Sequence, residues 1–248
     1  PLSEDLMAKL AGEELREIPY YGLMETKIGG ADCVISQTGF TGEKGYEIYV
    51  RDAHENAEAV WNGVLEAGEE FGLMVIAPAH HRRIAAGILS WGQDLDHETS
   101  PFQVNLAYQV PRNKEADYIG KEELERQRAV MDAGDAPFKM KMVGLTLGGK
   151  EITDYAPDFW LIADTDGKDV GYITSPWWSP ELETNIALAW VPWTSSEVGT
   201  KFQVRLPDEY SESPGVPVGA EVVDVPFRES VNPNKREVQK EKGLDYAD

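Results

Sequence analysis

The chain has 248 residues, enough for one large domain or two ordinary ones, and 42% of them are hydrophobic, so a substantial core is expected. Its 44 acidic side chains outnumber the 23 basic ones, and the net charge of −21 argues against nucleic acid or anionic lipid as a partner. No apolar run approaches the roughly 18 residues of a membrane-spanning helix, and the single cysteine, Cys33, excludes an intrachain disulfide. We therefore expect a cytoplasmic protein without a nucleic-acid or membrane partner.

The acidic excess is spread along the whole chain and is not gathered in a tail. Such a distribution favours a general role in solvating the surface. Two explanations remain open: an acidic surface adapted to the saline cytoplasm of a halophilic host, and ordinary mesophilic acidity.

The first part of the chain is predicted to mix helices and strands. Ser3 is expected to cap a short helix that ends at Gly12, and the lack of an initiator methionine before it indicates a fragment or a processed product. Strands are predicted at 27–36 and 46–50, on either side of a glycine-rich loop at 38–45. Further helices are predicted at 53–70, 80–89 and 121–131, with a polar loop at 94–101 and a strand at 104–110 between the last two.

The character of the chain changes after the stretch 132–137, whose Gly134 and Pro137 mark the best domain boundary. Beyond it, short strands are predicted at 141–147, 159–163, 170–174, 185–191, 202–206 and 221–225. Regular short strands without long helices are typical of a β-barrel or a β-sandwich. The last segment, 232–248, is a charged tail.

No single motif identifies a catalytic device. The glycine-rich loop has neither the Walker nor the dinucleotide-binding spacing. His80 and His81 are adjacent, so on a helix they point about 100° apart and cannot hold a metal together as an i, i+4 pair can; no metal site is expected. Trp177 and Trp178 lie in a proline-bounded loop, where they either line a ligand cleft or fill the end of a barrel, and we favour the packing role.

Four stretches nevertheless resemble the superfamily of the glycine-cleavage T-protein and the folate-dependent demethylases. Residues 38–48 read TGFTGEKGYEI and are similar to the family's TGYTGEDGYEI; residues 83–94, RIAAGILSWGQD, with TSPF at 99–102, are similar to RLEAG, YGQD and TNPFE. Residues 117–124, DYIGKEEL, resemble DFIGKEAL, and GYITS, SP and NIALA follow in family order at 171–175, 179–180 and 185–189. Together the stretches span nearly the whole chain.

The resemblance implies an α+β fold, in which an α/β folate-binding-type module at 1–132 precedes a β-barrel domain at 137–231. It also implies a long N-terminal portion that this chain lacks and that supplies the family's catalytic aspartate, so no catalytic residue is assigned and the chain alone is expected to be inactive. The implied activity is one-carbon transfer to tetrahydrofolate from a small methyl or aminomethyl donor, with a lipoyl carrier protein as a candidate partner.

The same resemblance assigns folate contacts. Glu47 matches a glutamate that hydrogen-bonds the pterin ring, and Phe40 stands where the family often has a pocket tyrosine. Tyr20 and Tyr21 match an aromatic pair that contacts folate, with core packing as the alternative. Arg83 either meets a folate carboxylate, braces the pocket or simply pairs with a neighbouring carboxylate.

Several positions depart from the family pattern. Ala85 replaces the usual glutamate, and Ala79 stands near an arginine of the T-proteins, which weakens the case for binding a folate glutamate tail. The sequence LSWG at 89–92 is more similar to the demethylases than to the T-proteins, so we favour the demethylase branch over the glycine-cleavage role. A non-catalytic folate-binding or structural subunit of the same fold is the alternative from another functional class.

Overall fold

A computed structural model describes residues 2–112 and 114–228, and these fall into two compact units that divide between Ala79 and His80. The predicted tail at 232–248 lies outside the described residues. Within the described part, no helix is long and apolar enough to cross a membrane.

The first unit is a three-stranded antiparallel sheet with helices on one face. Its elements are α1 (Ser3–Ala11), a 3₁₀ turn (Glu13–Glu17), β1 (Leu23–Ile28), β2 (Ala31–Ser36), β3 (Glu47–Val50), α2 (Ala53–Gly68) and a second 3₁₀ turn (Glu69–Phe71). Alternate strand residues such as Ile28, Cys33 and Ile35 are buried against Leu15 and Val60, so one face of the sheet forms the core and the other remains outward.

Two expectations for this unit were wrong in detail. The single strand predicted at 27–36 is a hairpin, because Gly29 and Gly30 have positive φ angles of 59° and 88° and make the two-residue turn that joins β1 to β2. Ser3 does not cap α1, since the helix already includes it and its hydroxyl donates to the Lys44 carbonyl at 2.9 Å. The predicted end of this helix at Gly12 is confirmed.

The second unit is built on a closed six-stranded barrel. It begins with α3 (His80–Ala85), two 3₁₀ turns (Pro101–Val104 and Ala107–Gln109) and α4 (Lys121–Asp132). The barrel strands are β4 (Met140–Leu147), β5 (Trp160–Ala163), β6 (Asp169–Ser179), β7 (Thr184–Pro192), β8 (Lys201–Val204) and β9 (Val218–Val223), in the order β4-β7-β6-β5-β8-β9, with a third 3₁₀ turn (Trp193–Ser195) after β7. The α+β class with a C-terminal barrel is therefore confirmed.

Strand β7 is buried on both of its faces. Ala187, Ala189 and Val191 point into the barrel core, whereas the alternate residues Ile186 and Leu188 pack outward with Ile84 of α3. A strand buried on both sides is expected to have a continuous apolar run, and residues 186–191 supply one.

All six predicted barrel strands are present, and three neighbouring expectations are corrected. Strand β6 continues through Trp177 and Trp178, which are paired with β7 and are not in a loop. The helix predicted at 80–89 ends at Ala85, because Gly87 adopts a left-handed conformation and Ile88 N–H closes back on the Arg83 carbonyl at 2.8 Å. In place of the strand predicted at 104–110, the structure has the end of one 3₁₀ turn at Val104 and a second at Ala107–Gln109. The domain boundary expected at 132–137 stays a prediction.

Candidate functional site

Four of the five predicted site residues lie at one end of the sheet in the first unit. Glu47 opens β3 and pairs with Ser36, the last residue of β2, which in turn pairs with Leu23 of β1. Tyr20 and Tyr21 immediately precede β1, and the Tyr21 N–H donates to the Gln37 carbonyl at 3.1 Å. Phe40 lies in the loop that connects β2 to β3 at this same end. We call this region the Glu47 end of the sheet.

The Glu47 carboxylate is held on one side only. Its Oε2 accepts hydrogen bonds from the Thr38 hydroxyl and, at 3.1 Å, from the Tyr49 hydroxyl. The Ser36 and Thr38 hydroxyl oxygens lie 2.6 Å apart, so Ser36 donates to the hydroxyl that itself donates to Glu47. Among the described residues, no hydrogen bond or ion pair reaches Oε1. A carboxylate held in this way can accept an N–H from a ligand.

The tyrosine beside this carboxylate is perturbed by it. The hydrogen bond to Glu47, followed by its negative charge, raises the pKa of Tyr49 above the ordinary value. Tyr49 therefore remains protonated and acts as a donor at neutral pH.

Three of the predicted site residues at this end of the sheet are aromatic. The rings of Tyr20 and Tyr21 have centroids 4.1 Å apart at 52°, and about half of the surfaces of Tyr21 and Phe40 are exposed. Tyr21 has a φ angle of 64°, which is costly for a bulky residue. Its N–H donates to the Gln37 carbonyl, and the Gln37 N–H donates to the Gly22 carbonyl, so both bonds hold the backbone there. Exposed rings at the same end of the sheet as an oriented carboxylate suit a flat heteroaromatic ligand.

Gln37 is a polar residue of this region that the sequence analysis missed. It is 1% exposed, its Nε2 donates to the Tyr46 hydroxyl at 3.3 Å, and its Oε1 has no hydrogen-bond partner among the described residues. Whichever way the amide is turned, one of its polar atoms stays unpaired. Thr38 and Tyr49 were also missed as Glu47 partners, although strand alternation already places Tyr49 on the same face as Glu47.

Arg83, the fifth predicted residue, lies in the second unit and is 1% exposed. Its Nη1 donates to Asp94 Oδ2 at 2.6 Å, and its Nη2 donates to the Ser175 hydroxyl at 2.7 Å and to His80 Nε2 at 3.0 Å. Asp94 Oδ1 also accepts from the Thr174 hydroxyl at 2.6 Å. The structure thus shows the carboxylate pairing that the sequence left open, and contact of Arg83 with folate stays a prediction.

His80 and Trp177 pack against this network. The His80 ring is 5.1 Å from the Trp177 ring and 4.5 Å from that of Tyr155, centroid to centroid. Burial, followed by the positive charge of Arg83, lowers the pKa of His80 to about 4, so the ring is neutral at pH 7. Trp177 serves packing here, as we favoured.

The second unit also contains an open cleft of about 340 Å³. Carboxylate, amide and aromatic side chains line it, including Asp96, Glu98, Gln103 and a stacked pair of rings, Phe159 and Tyr172, whose centroids are 5.3 Å apart. None of the five predicted site residues lines this cleft.

Comparison with known proteins decides the family. Residues 1–114 match the model of the GCVT N-terminal domain, and residues 141–228 match that of the glycine cleavage T-protein C-terminal barrel domain. The chain belongs to the glycine cleavage T-protein family. The second match covers the strands of the closed barrel described above.

Curated relatives agree with this family. The chain is 32% identical over 230 residues to an aminomethyltransferase of Geobacillus sp. (strain WCH70), which covers 92% of this chain and 58% of that protein. It is 32% identical over 209 residues to an aminomethyltransferase of Clostridium botulinum (strain Okra), which covers 83% of this chain and 53% of that protein. The chain therefore spans somewhat more than half the length of these relatives.

The solved structure supports the fold. The glycine cleavage system aminomethyltransferase T of Bartonella henselae superposes with a TM-score of 0.68 at 22% identity, over 92% of this chain and 57% of that one. The family resemblance inferred from the four sequence stretches is confirmed by the two domain models and the curated relatives. The assignment of Glu47, Phe40, Tyr20, Tyr21 and Arg83 as folate contacts stays a prediction.

Proposed function

We propose that the complete protein containing this chain is an aminomethyltransferase that moves a one-carbon unit onto tetrahydrofolate. The observation that carries the proposal is that the family's two domain models match this chain and that its curated relatives cited above are aminomethyltransferases. We propose an aminomethyl group on a lipoyl carrier protein as the donor: its carbon would pass to tetrahydrofolate as a methylene unit, its nitrogen would leave as ammonia, and the carrier would regain a free thiol.

The Glu47 end of the sheet has the chemistry that tetrahydrofolate requires. The pterin edge of tetrahydrofolate presents N–H donors, which suit the Glu47 oxygen that has no partner among the described residues. The flat pterin ring suits the exposed aromatic side chains. We propose Glu47, Phe40, Tyr20 and Tyr21 as contacts, with Arg83 as a brace whose charge is already paired with Asp94. When bound, tetrahydrofolate supplies a nucleophilic amine that receives the one-carbon unit.

The residues of this chain would act by positioning rather than by covalent chemistry. Orienting the folate ring fixes its amine relative to the donor, and such orientation lowers the entropic part of the barrier. Glu47 would hold the ring through an N–H, while Thr38 and Tyr49 keep the carboxylate in place. No acid or base for the transfer itself is assigned.

The demethylase branch, which the LSWG sequence at 89–92 favoured, receives less support because the two curated relatives at 32% identity are aminomethyltransferases. One assay separates the possibilities: the purified complete protein is incubated with an aminomethyl-loaded lipoyl carrier, or with small N-, S- or O-methyl compounds, with and without tetrahydrofolate. We expect mass spectrometry to show loss of the aminomethyl group from the carrier only when tetrahydrofolate is present.

Other outcomes of this assay would redirect the proposal. Consumption of a methyl compound and not of the loaded carrier would support the demethylase branch. Tetrahydrofolate binding without turnover of any donor would support a non-catalytic folate-binding protein of the same fold.

A further inference from the structure

We infer that Thr38 and Tyr49 are positioning residues that hold one oxygen of Glu47, so that the ligand is met by the other oxygen, Oε1, alone. The inference rests on the proposed function for the nature of the ligand. Its structural part, the coupling of Tyr49 to Glu47, does not depend on folate.

The geometry of β2 and β3 creates the arrangement. Glu47 and Tyr49 are two residues apart on β3, so their side chains leave the same outward face of the sheet. Thr38 follows β2 by two residues, and Ser36, directly opposite Glu47, supplies the hydroxyl that orients Thr38. Two hydroxyl groups therefore bond one oxygen of a single carboxylate, and a third orients one of the two.

Both lone-pair directions of Oε2 are then in use. A carboxylate oxygen offers about two acceptor sites, and Thr38 and Tyr49 each occupy one on Oε2. A ligand that bound both oxygens side by side would have to displace one of these hydroxyls. Approach to Oε1 requires no such displacement.

The donors are also neutral. A lysine or arginine bound to Glu47 would cancel its charge, whereas hydroxyl groups orient the carboxylate and leave it anionic. Among the described residues no ion pair with Glu47 occurs. The arrangement thus preserves a charged acceptor for a ligand N–H, and hydrogen bonds to charged groups are the stronger kind.

The first test measures the coupling without any ligand. The complete protein is labelled with ¹³C at the tyrosine Cζ atoms, and the Tyr49 resonance is identified by its disappearance in Tyr49→Phe. We expect the pKa of Tyr49 to fall toward its ordinary value in Glu47→Gln, because the hydrogen bond to a carboxylate and the negative charge that raise it are lost. An unchanged Tyr49 titration in Glu47→Gln would overturn the inference.

The second test measures binding of tetrahydrofolate by calorimetry. Tyr49→Phe and Thr38→Val remove one hydroxyl each and keep the side-chain shape, so each is expected to weaken binding about 5- to 10-fold, the scale of one hydrogen bond. Tyr118→Phe and Thr26→Val are matched controls with the same chemical changes at residues that do not touch Glu47, and they should bind like the wild type.

The outcomes distinguish this inference from the proposed function. If the wild type does not bind tetrahydrofolate, the proposed function fails, and the Tyr49 titration still decides the coupling. If the wild type binds and Tyr49→Phe binds more tightly, the hydroxyl competes with the ligand for Oε2, and the inference is wrong while the proposed function stands. Wild-type affinity in both variants would also overturn the positioning role.

Discussion

Asp94 in the second unit and Glu47 in the first differ in burial, in hydrogen bonding and in charge pairing. Asp94 in the barrel unit is buried, its two oxygens accept from Arg83, Ser90, Thr174 and Ser175, and its charge is paired. Glu47 in the first unit is exposed, has hydroxyl donors on one oxygen only, and has no cationic partner among the described residues. A carboxylate with every acceptor site filled stabilises a fold, whereas one that is oriented but unsaturated is suited to a ligand.

The largest expected effect tests the structural side of this comparison. Asp94→Ala removes the carboxylate that pairs with the buried Arg83 guanidinium, and breaking a buried pair in this way typically costs about 3–5 kcal/mol. Urea unfolding of the complete protein would measure the loss. Asp94→Asn keeps the shape and some hydrogen bonds, so it should lose less.

A matched exposed pair provides the control for that experiment. Asp132 pairs with Arg112 at 2.9 Å, but about half of each side chain is exposed to water. Asp132→Ala should therefore change the unfolding free energy little. Equal losses in Asp94→Ala and Asp132→Ala would contradict the structural role given to the buried network.

His80 allows the same network to be probed by pH. Its folded-state pKa of about 4 lies below the ordinary 6.5, so between these values the unfolded chain binds a proton that the folded chain does not. Stability contributed by keeping His80 neutral is complete above pH 6.5 and falls as the pH drops toward 4, by about 3 kcal/mol in all.

The measurement compares unfolding free energies of wild type and His80→Gln at several pH values. The difference between the two proteins should change by that amount between pH 7 and pH 4. His54→Gln, at a site whose side chain is 77% exposed, should follow the wild type. Parallel curves for wild type and His80→Gln would show that burial of a neutral His80 contributes nothing.

The smallest effect expected concerns the exposed charges. If the net charge of −21 reflects a saline host, the melting temperature should rise from dilute to molar KCl, because salt screens the repulsion among surface carboxylates. Differential scanning calorimetry would show this. A flat or falling melting temperature would favour ordinary mesophilic acidity.

The sequence predicted the six barrel strands well because short segments with apolar residues are separated there by turns that contain glycine, proline, aspartate or asparagine. The secondary-structure prediction failed where a local contact had more influence on the backbone than the pattern of apolar residues. Pro176 was taken as a loop residue, but in β6 it pairs only with β7, while β5 pairs with residues 169–173. A proline is tolerated there because no second neighbour needs its missing N–H.

The strand predicted at 104–110 failed for a related reason. Ser100 and Gln103 form a capping box that folds Pro101–Val104 into a 3₁₀ turn, and Asn105 then takes a left-handed conformation. The alternation of apolar residues in this segment was real, since Val104 and Val110 are both buried, but side-chain capping decided the backbone.

The candidate site was predictable only in part. Family motifs singled out Glu47, Phe40, Tyr20 and Tyr21, and strand pairing brings them to one end of the sheet. The roles of Thr38 and Tyr49 depend on the register between β2 and β3, which the sequence does not state. The burial of Arg83 depends on residues 92 positions away in the chain, so its pairing could not be derived from local pattern.

The central claim is that Glu47 is a ligand-binding carboxylate, and tetrahydrofolate calorimetry on the complete protein tests it most directly. Glu47→Ala is expected to weaken binding by about 2–4 kcal/mol, because a charge-assisted hydrogen bond is lost and the ligand N–H is left unpaired. Glu47→Gln should cost less, since the amide keeps one acceptor oxygen. Glu25→Ala, at an exposed carboxylate on the same face of the sheet, should bind like the wild type. Wild-type affinity in Glu47→Ala would contradict the claim.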